Sequence, residues 1–271
     1  MDFNRLYVSC APPSLLQSLP EEVIGVGALS RSSLSLLSVF TDLLGQLVTR
    51  KFALCLPSSI EARGAIFFGD GPYYLPYHRD PSTDFDVAKV LTYTPLQGDR
   101  TSLGYFINLT GISIHGKDMH VPQNSFNCNQ SVKLSTIVPY TTLKSNIYKT
   151  FIRGFKKAAK GINQVPKVEP FRLCFTVGTS TNGLVIPQID LLLGNGEKWT
   201  IYPSNSIKQV DDNVACLAFI DGGKTAEQAV VIGTFQMEDN LLQFDLDQSR
   251  LGFSSSLYPY GTTCGGFNFT V

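Results

Sequence analysis

Val132 to Lys149 reads VKLSTIVPYTTLKSNIYK, an apolar, β-branched run that leads into a turn and then into a helical pattern. The residues before Pro139 favour a pleated, half-buried backbone. Pro139 should end the strand, because proline has no N–H to donate to a neighbouring strand. Ser145 is of a type that caps helices. The stretch therefore predicts a strand, a loop and a helix.

The predicted helix has one apolar face and one basic surface. Its apolar residues recur at spacings of three or four: Ile147, Phe151, Phe155, Ala158 and Ile162. The basic residues occupy other positions: Lys149, Arg153, Lys156, Lys157 and Lys160. Gly161 is predicted to end the helix. A helix with this pattern packs its apolar face on a sheet.

Further along the chain, several patterns predict individual elements. Residues 35–47 carry apolar side chains near helical spacing and predict a packing helix. KFALCLP (51–57) and GAIFFGD (64–70) predict a strand pair joined by a polar turn. IPQIDLLL (186–193) and EKWTIYP (197–203) flank a Gly-Asn-Gly hairpin signal. VACLAFI (214–220) predicts one buried strand.

The composition is that of a neutral, aromatic-rich chain. It has 271 residues, with 22 basic and 22 acidic side chains, 18 Phe and 11 Tyr. This length suits one large or two medium domains. A net charge of zero gives no overall field to recruit nucleic acid or an anionic membrane, so neither is predicted as a partner. No apolar run approaches the roughly 20 residues that span a bilayer, and MDFNRLYVSC does not read as a signal peptide.

The cysteines and sequons are typical of a secreted chain. The six cysteines are Cys10, Cys55, Cys128, Cys174, Cys216 and Cys264. None forms a C-x-x-C pair or has a histidine at zinc-ligand spacing, so disulfides are predicted and a metal site or cofactor is not. His115 and His120, with Asp118 between them, are interpreted as exposed turn residues rather than ligands. The candidate glycosylation acceptors are Asn108, Asn129 and Asn268.

Several stretches together resemble one family of plant proteins. They are LSTIVPYTTL (134–143) with SNIYKTF (145–151), GAIFFGDGP (64–72), LTYTPL (91–96), VACLAFIDGG (214–223), VVIGTFQMEDNLLQFDLDQSRLGFSSS (230–256) and TTCGGFNFT (262–270). These are similar to the secreted proteins of the basic 7S globulin, carrot extracellular dermal glycoprotein and cereal xylanase and xyloglucanase inhibitor type. The resemblance implies a mostly β, pepsin-like aspartic-protease fold of two lobes, with the enzyme function usually lost.

The resemblance also implies a domain plan and disulfide pairings. Residues 1–97 would be the remnant of an incomplete, truncated N-terminal lobe, and residues 98–271 the C-terminal lobe. The implied disulfides are Cys174 with Cys216 and Cys55 with Cys264. Cys10 would lack its partner, Cys128 matches no family cysteine, and whether these two pair is left open. The implied location is extracellular, in the apoplast or cell wall.

A pepsin-like site needs two carboxylates that share a proton across one water molecule. Each comes from an apolar, Asp, Ser/Thr, Gly turn. The second such turn corresponds here to Leu134-Ser135-Thr136-Ile137, so that Ser135 stands in the place of the aspartate. No Asp-Thr-Gly or Asp-Ser-Gly occurs, and the nearest lookalike, at Asp221, lacks the hydroxyl residue. The chain is therefore predicted not to be an enzyme, with no catalytic residue.

The resemblance leaves four candidate functions. The first is a binding protein or inhibitor of cell-wall glycanases, with a microbial glycoside hydrolase (xylanase or xyloglucan endoglucanase) as partner. However, Gly261 stands where family inhibitors carry a functional arginine, and the loop Val177 to Val185 has no Arg, His or Lys. The alternatives are a storage or peptide-binding globulin of the basic 7S type, an aspartic-type endopeptidase as the fold alone would suggest, and a truncated paralogue without activity.

Overall fold

The computed structural model describes residues 8–16, 19, 23, 25–45, 49–77, 84–98, 102–121, 125–126, 131–176 and 186–267. The α-helices in this part of the chain are α1 (Leu36–Leu44), α2 (Ser145–Ala158), α3 (Pro203–Ser206) and α4 (Thr234–Met237). The strands, in chain order, are β1 (Lys51–Cys55), β2 (Ala65–Phe68), β3 (Tyr74–Pro76), β4 (Asp84–Asp86), β5 (Thr92–Gln97), β6 (Tyr105–Ile107), β7 (Leu109–Ile114), β8 (Lys117–Asp118), β9 (Val132–Leu134), β10 (Thr141–Leu143), β11 (Gln164–Val165), β12 (Cys174–Thr176), β13 (Ile189–Leu193), β14 (Lys198–Ile201), β15 (Ile207–Asp211), β16 (Val214–Leu217), β17 (Phe219–Asp221), β18 (Val230–Ile232), β19 (Leu241–Asp245) and β20 (Arg250–Phe253). The prediction of a mostly β protein is confirmed.

One large sheet organises the molecule. Its ten strands run in the order β17-β10-β18-β9-β6-β5-β20-β19-β1-β2. Smaller sheets of described residues have the orders β11-β12-β16-β15, β14-β13-β7-β8 and β3-β4. Within the large sheet β5 pairs with β20 on one side and with β6 on the other. Strands from both sides of Gln97 thus share one sheet, and the lobe boundary proposed there stays a prediction.

The local pairings follow the sequence patterns. β1 and β2 form the predicted antiparallel pair, and β1 also pairs with β19. β13 and β14 form the predicted hairpin around Gly196, whose φ of +87° suits glycine. α1 occupies most of the segment predicted as a packing helix; residues 46 and 47 of that segment lie outside the described part. Among the described residues, no helix is long and apolar enough to cross a membrane.

α2 packs its apolar face on the core as predicted. Ile147, Phe151 and Phe155 are fully buried, and the Phe151 ring lies 4.7 Å from the Phe219 ring between centroids. Ser145 was expected to cap the helix, but this prediction is wrong. The cap position is Lys144, which makes no side-chain capping bond. The Ser145 hydroxyl instead donates to Asp221 Oδ1 at 2.6 Å.

The predicted single strand over residues 214–220 is also divided in the structure. β16 joins a four-stranded sheet with β12 and β15, whereas β17 joins the edge of the large sheet beside β10. The break falls at Ala218. Its N–H still donates to the Ser206 carbonyl, directly before β15, at 2.8 Å, but its own carbonyl accepts Gln236 Nε2 at 3.0 Å. A backbone group that is bonded to a side chain does not extend the ladder.

The two implied disulfide pairings are present as bonds, Cys55–Cys264 and Cys174–Cys216. All four cysteines are fully buried. Cys10 is exposed and has no disulfide partner among the described residues. Cys128 lies outside them, so whether Cys10 and Cys128 pair is untested.

Candidate functional site

The turn that carries Ser135 is built by strand crossing. The chain leaves the large sheet at the end of β9 and returns at β10, while β18 lies between these two strands, parallel to β9 and antiparallel to β10. The N–H of Ser135 donates to the Ile232 carbonyl at 3.0 Å. Its hydroxyl oxygen accepts the N–H of Ile137 at 3.3 Å. Ser135 is thus fixed where β9 ends.

Gly233 allows β18 to pass under this turn. A Cβ atom there would lie 2.6 Å from the Tyr140 carbonyl carbon and 2.7 Å from the Val138 carbonyl oxygen. Both are backbone atoms that cannot rotate away, so only glycine fits. The N–H of Gly233 donates to the Thr141 hydroxyl at 3.1 Å.

The side chain of Gln236 stabilises the same crossing through three hydrogen bonds. Its Oε1 accepts the N–H of Thr141 at 2.8 Å. Its Nε2 donates to the carbonyls of Asn205 and Ala218, each at 3.0 Å. Gln236 is 1% exposed, so these bonds are shielded from water and fix the turn relative to α3 and β17.

A cleft of about 230 Å³ opens beside Ser135. Lys133, Thr136 and Ile137 from the same stretch line it, together with Tyr105. None of the described residues lining the cleft is Asp or Glu. Burial raises the pKa of Tyr105 to about 12, and its hydroxyl donates to the Leu29 carbonyl at 2.6 Å. The described lining therefore does not supply the carboxylates that an aspartic-protease site uses as acid and base.

Asp221 lies at a different place. It ends β17, at the edge of the large sheet, where its Oδ1 accepts the Ser145 hydroxyl and the N–H of Gly223 at 3.0 Å. It lines a separate cavity of about 640 Å³ together with Arg153 and Arg172, among others. That cavity shares no lining residue with the cleft at Ser135. The structure does not bring Asp221 and Ser135 together.

His115, Asp118 and His120 line a third cavity, of about 770 Å³, beside α2. His115 has a φ of +50° in the turn between β7 and β8. Within the described ranges, no three His, Cys, Asp or Glu side chains lie close enough to hold a metal ion. Of the candidate glycosylation acceptors, Asn108 is exposed between β6 and β7, and Asn129 and Asn268 lie outside the described residues. Glycosylation stays a prediction.

Glu238 is a titratable group that the sequence patterns did not single out. Burial raises its pKa to about 7, Lys208 opposes this shift and Asp239 adds to it. The sequence signal for a perturbed carboxyl is an acidic pair, Glu238-Asp239, directly after α4. A second acid next in sequence to a partly buried carboxyl is expected to raise the pKa of that carboxyl.

The raised pKa of Glu238 should make stability depend on pH. A carboxyl whose pKa is higher in the fold than in the unfolded chain stabilises the fold below its ordinary pKa, and this contribution is lost as pH rises toward about 7. Because the side chain is only half-buried, solvent screening reduces the effect to about 1 kcal/mol. Between pH 5 and 8, the free energy of unfolding should fall by about 1 kcal/mol more in the wild type than in Glu238→Gln.

Urea unfolding at a series of pH values measures this difference. Glu61→Gln, at an exposed glutamate, is the matched control and should keep the pH profile of the wild type. Parallel profiles for the wild type and Glu238→Gln would show that the carboxyl of Glu238 is not perturbed.

Comparison with known proteins shows which family models match the chain. A model described as xylanase inhibitor C-terminal matches residues 104–255, and one described as xylanase inhibitor N-terminal matches residues 1–70. A Nicotiana benthamiana protein named probable aspartic proteinase GIP2 is 39% identical over 99% of this chain and 64% of its own length. Gamma conglutin 1 of Prunus dulcis is 40% identical over 98% of this chain and 61% of its own length.

Among solved structures, the chain is similar to conglutin gamma, described as a unique basic 7S globulin from lupine seeds. The TM-score is 0.81 at 33% identity, over 97% of this chain and 65% of that one. The chain therefore spans less than two thirds of the length of these relatives. The predicted pepsin-like fold is confirmed, and the chain belongs to the xylanase-inhibitor family of plant aspartic-protease-like proteins, with the basic 7S globulins among its relatives.

Proposed function

We propose that this protein is a non-catalytic binding protein that inhibits a cell-wall glycoside hydrolase, a microbial xylanase or xyloglucan endoglucanase. The observation that carries the proposal is the cleft at Ser135, whose described lining has no carboxylate, in a chain whose family models are described as xylanase inhibitors. A serine hydroxyl cannot act as the base of an aspartic protease near neutral pH. The fold is therefore expected to serve binding alone.

The contact with a target enzyme should differ from that of the family inhibitors that use an arginine. Gly261 occupies the corresponding position and has a φ of +71°. The loop Val177 to Val185 has no basic residue and lies outside the described part of the chain. An inhibitory cation that enters the active site of a glycanase must therefore come from elsewhere, or inhibition must rest on steric blocking.

An extracellular location, in the apoplast or cell wall, belongs to the same proposal. The two buried disulfides support it, because such bonds persist in oxidising compartments. Asn108, exposed between two strands, is an accessible acceptor for a glycan.

The test is an inhibition assay with the purified chain. We expect dose-dependent loss of activity of a microbial xylanase or of a xyloglucan endoglucanase, with reduced and heat-unfolded protein as the inactive control. No effect on either enzyme class, at concentrations up to about 10 μM and thus over the range of typical protein–protein affinities, would remove the inhibitor proposal. The storage or peptide-binding alternative, to which the similarity to a basic 7S globulin gives support, would then be favoured.

The same preparation tests the endopeptidase alternative. We expect no cleavage of haemoglobin at acid pH, because the described residues that line the cleft do not include the pair of carboxylates that must share a proton. Cleavage that pepstatin abolishes would overturn the non-catalytic proposal.

A further inference from the structure

The solvent-facing side of α2 carries a row of cations and no acid. Lys149, Arg153, Lys156 and Lys157 are all exposed, and α2 contains no Asp or Glu. At 3.6 residues per turn, these four side chains fall within an arc of roughly 100° of the helix surface. Lys149, Arg153 and Lys157 follow one another every fourth residue, about 6 Å apart along the helix axis.

Cations from two other segments extend this row. Arg172, exposed before β12, lines the cavity of about 640 Å³ together with Lys149 and Arg153. Lys117, exposed in β8, lines the cavity of about 770 Å³ together with Arg153 and Lys157. Arg153 lines both cavities, so the two adjoin along α2. These five residues are called the cationic surface.

The described part of the chain does not neutralise the cationic surface. The carboxylates that line the two cavities are Asp118 and Asp221, and the cations outnumber them. Asp221 Oδ1 already accepts the Ser145 hydroxyl and the N–H of Gly223. No ion pair among the described residues includes a member of the cationic surface. An excess of positive charge therefore lies on one side of a chain whose formal net charge is zero.

Helix stability accounts for only part of this excess. Basic side chains in the last turn of a helix interact favourably with the helix dipole, and this applies to Lys156 and Lys157. Lys149 lies in the first half of α2, and Lys117 and Arg172 belong to other segments. Cations that converge from three segments without ion-pair partners are typical of a site for an anionic ligand.

We propose that the cationic surface binds a linear acidic polysaccharide of the polyuronate type, in which each sugar carries a carboxylate. Lysine and arginine form charge-assisted hydrogen bonds with carboxylates. Because the carboxylates repeat along the polymer, one strand can contact the row on α2 together with Arg172 or Lys117. The proposal rests on the proposed extracellular location, which places the chain beside cell-wall polymers, and not on the proposed inhibition of a glycanase.

Other polyanions fit this surface less well. Proteins that bind single-stranded nucleic acid combine basic grooves with aromatic rings on which bases stack. Among the described Phe, Tyr and Trp residues, only Tyr148 lines either cavity, and it is 4% exposed. A helix that binds an anionic membrane inserts its apolar face into the lipid, whereas Phe151 and Phe155 of α2 are fully buried in the core.

The experiment is calorimetric titration of the full chain with oligogalacturonate. The fully methyl-esterified oligomer is the control, because it has the same sugar backbone without the charges. We expect saturable binding of the acid form, no binding of the ester, and an affinity that falls steeply as NaCl is added, since neutralised charges release counterions. Single-stranded DNA, poly-glutamate, and vesicles of phosphatidylcholine with phosphatidylserine are titrated at the same ionic strength as competing classes.

The site variant is the triple substitution Lys149→Gln, Arg153→Gln and Lys157→Gln. It should weaken binding of oligogalacturonate about tenfold or more and make the salt dependence shallower, because three cations are lost from the row. Glutamine is a good helix former, and all three positions are exposed, so the substitutions should spare the fold.

The matched control is the triple substitution Arg63→Gln, Lys89→Gln and Lys198→Gln. It removes the same residue types and the same charge at exposed positions that line neither cavity. Its affinity for oligogalacturonate should stay within about twofold of the wild type, because the contacts on α2 are intact.

Absence of saturable binding of the acid form overturns the proposal. So do equal losses in the two triple variants, which would mean that only the net charge matters, and binding of the ester as tight as that of the acid. Tighter binding of DNA, poly-glutamate or the vesicles would assign the surface to another class of partner and also overturn it. No glycanase takes part in these titrations, so their failure is distinct from a failure of the proposed inhibition.

Discussion

Replacing Cys55 and Cys264 together by alanine is expected to lower the free energy of unfolding by about 5 kcal/mol. The bond joins residues 209 positions apart. In the loop-closure account, a crosslink stabilises the fold by restricting the unfolded chain, and the effect grows with the logarithm of the loop length. Urea unfolding followed by the fluorescence of the single Trp199, which is fully buried, measures the loss.

The second disulfide is the matched control. Cys174 and Cys216 are also fully buried but lie only 42 positions apart, so their double alanine variant should lose about 4 kcal/mol. The difference of about 1 kcal/mol isolates the effect of loop length. An equal or smaller loss for the longer loop would contradict the entropic account.

Phe151→Ala is expected to lower the free energy of unfolding by about 4 kcal/mol. The side chain is fully buried, and its ring lies 4.7 Å from Phe219 and 6.3 Å from Phe155 between centroids. Truncation removes the aromatic contact between α2 and β17 and leaves a cavity that a sheet and a helix cannot easily collapse to fill.

Urea titration measures the free energy of unfolding. If its slope against urea concentration is the same as in the wild type, the loss is one of native-state stability. Lys149→Ala, at an exposed position of the same helix, should change stability by less than about 0.5 kcal/mol. A loss under about 1 kcal/mol in Phe151→Ala would mean that the docking of α2 does not depend on this ring.

Local patterns predicted much of the fold. The apolar spacing of α2, the β1–β2 pair and the β13–β14 hairpin all depend on residues close in sequence. Ser145 was misread because its hydroxyl bonds to Asp221, 76 positions away, and no local pattern reports such a partner. The strand break at Ala218 was missed for the same reason, since its carbonyl bonds to the side chain of Gln236, 18 positions away.

The candidate sites, like the fold, were predictable only where they depend on residues close in sequence. The position of Ser135 followed from the resemblance of one continuous stretch, but a cavity of about 380 Å³ lined by Asp239 joins segments from residues 58, 202–205 and 256–259. One carboxylate oxygen of Asp239 is buried without a hydrogen-bond partner among the described residues, and its environment depends on how these segments pack. Sequence could mark the acidic pair at 238–239 but could not show which oxygen lacks a donor.

The position of β1 between β2 and β19 has a consequence for biosynthesis. β1 emerges from the ribosome well before its partner β19, because residues 56–240 lie between the two strands. At about 5–20 residues per second, translation leaves that edge uncovered for roughly ten to forty seconds. The exposed edge of a nascent apolar strand is a template for wrong pairing. The large sheet can close on this side of β1 only after β19 has been synthesised.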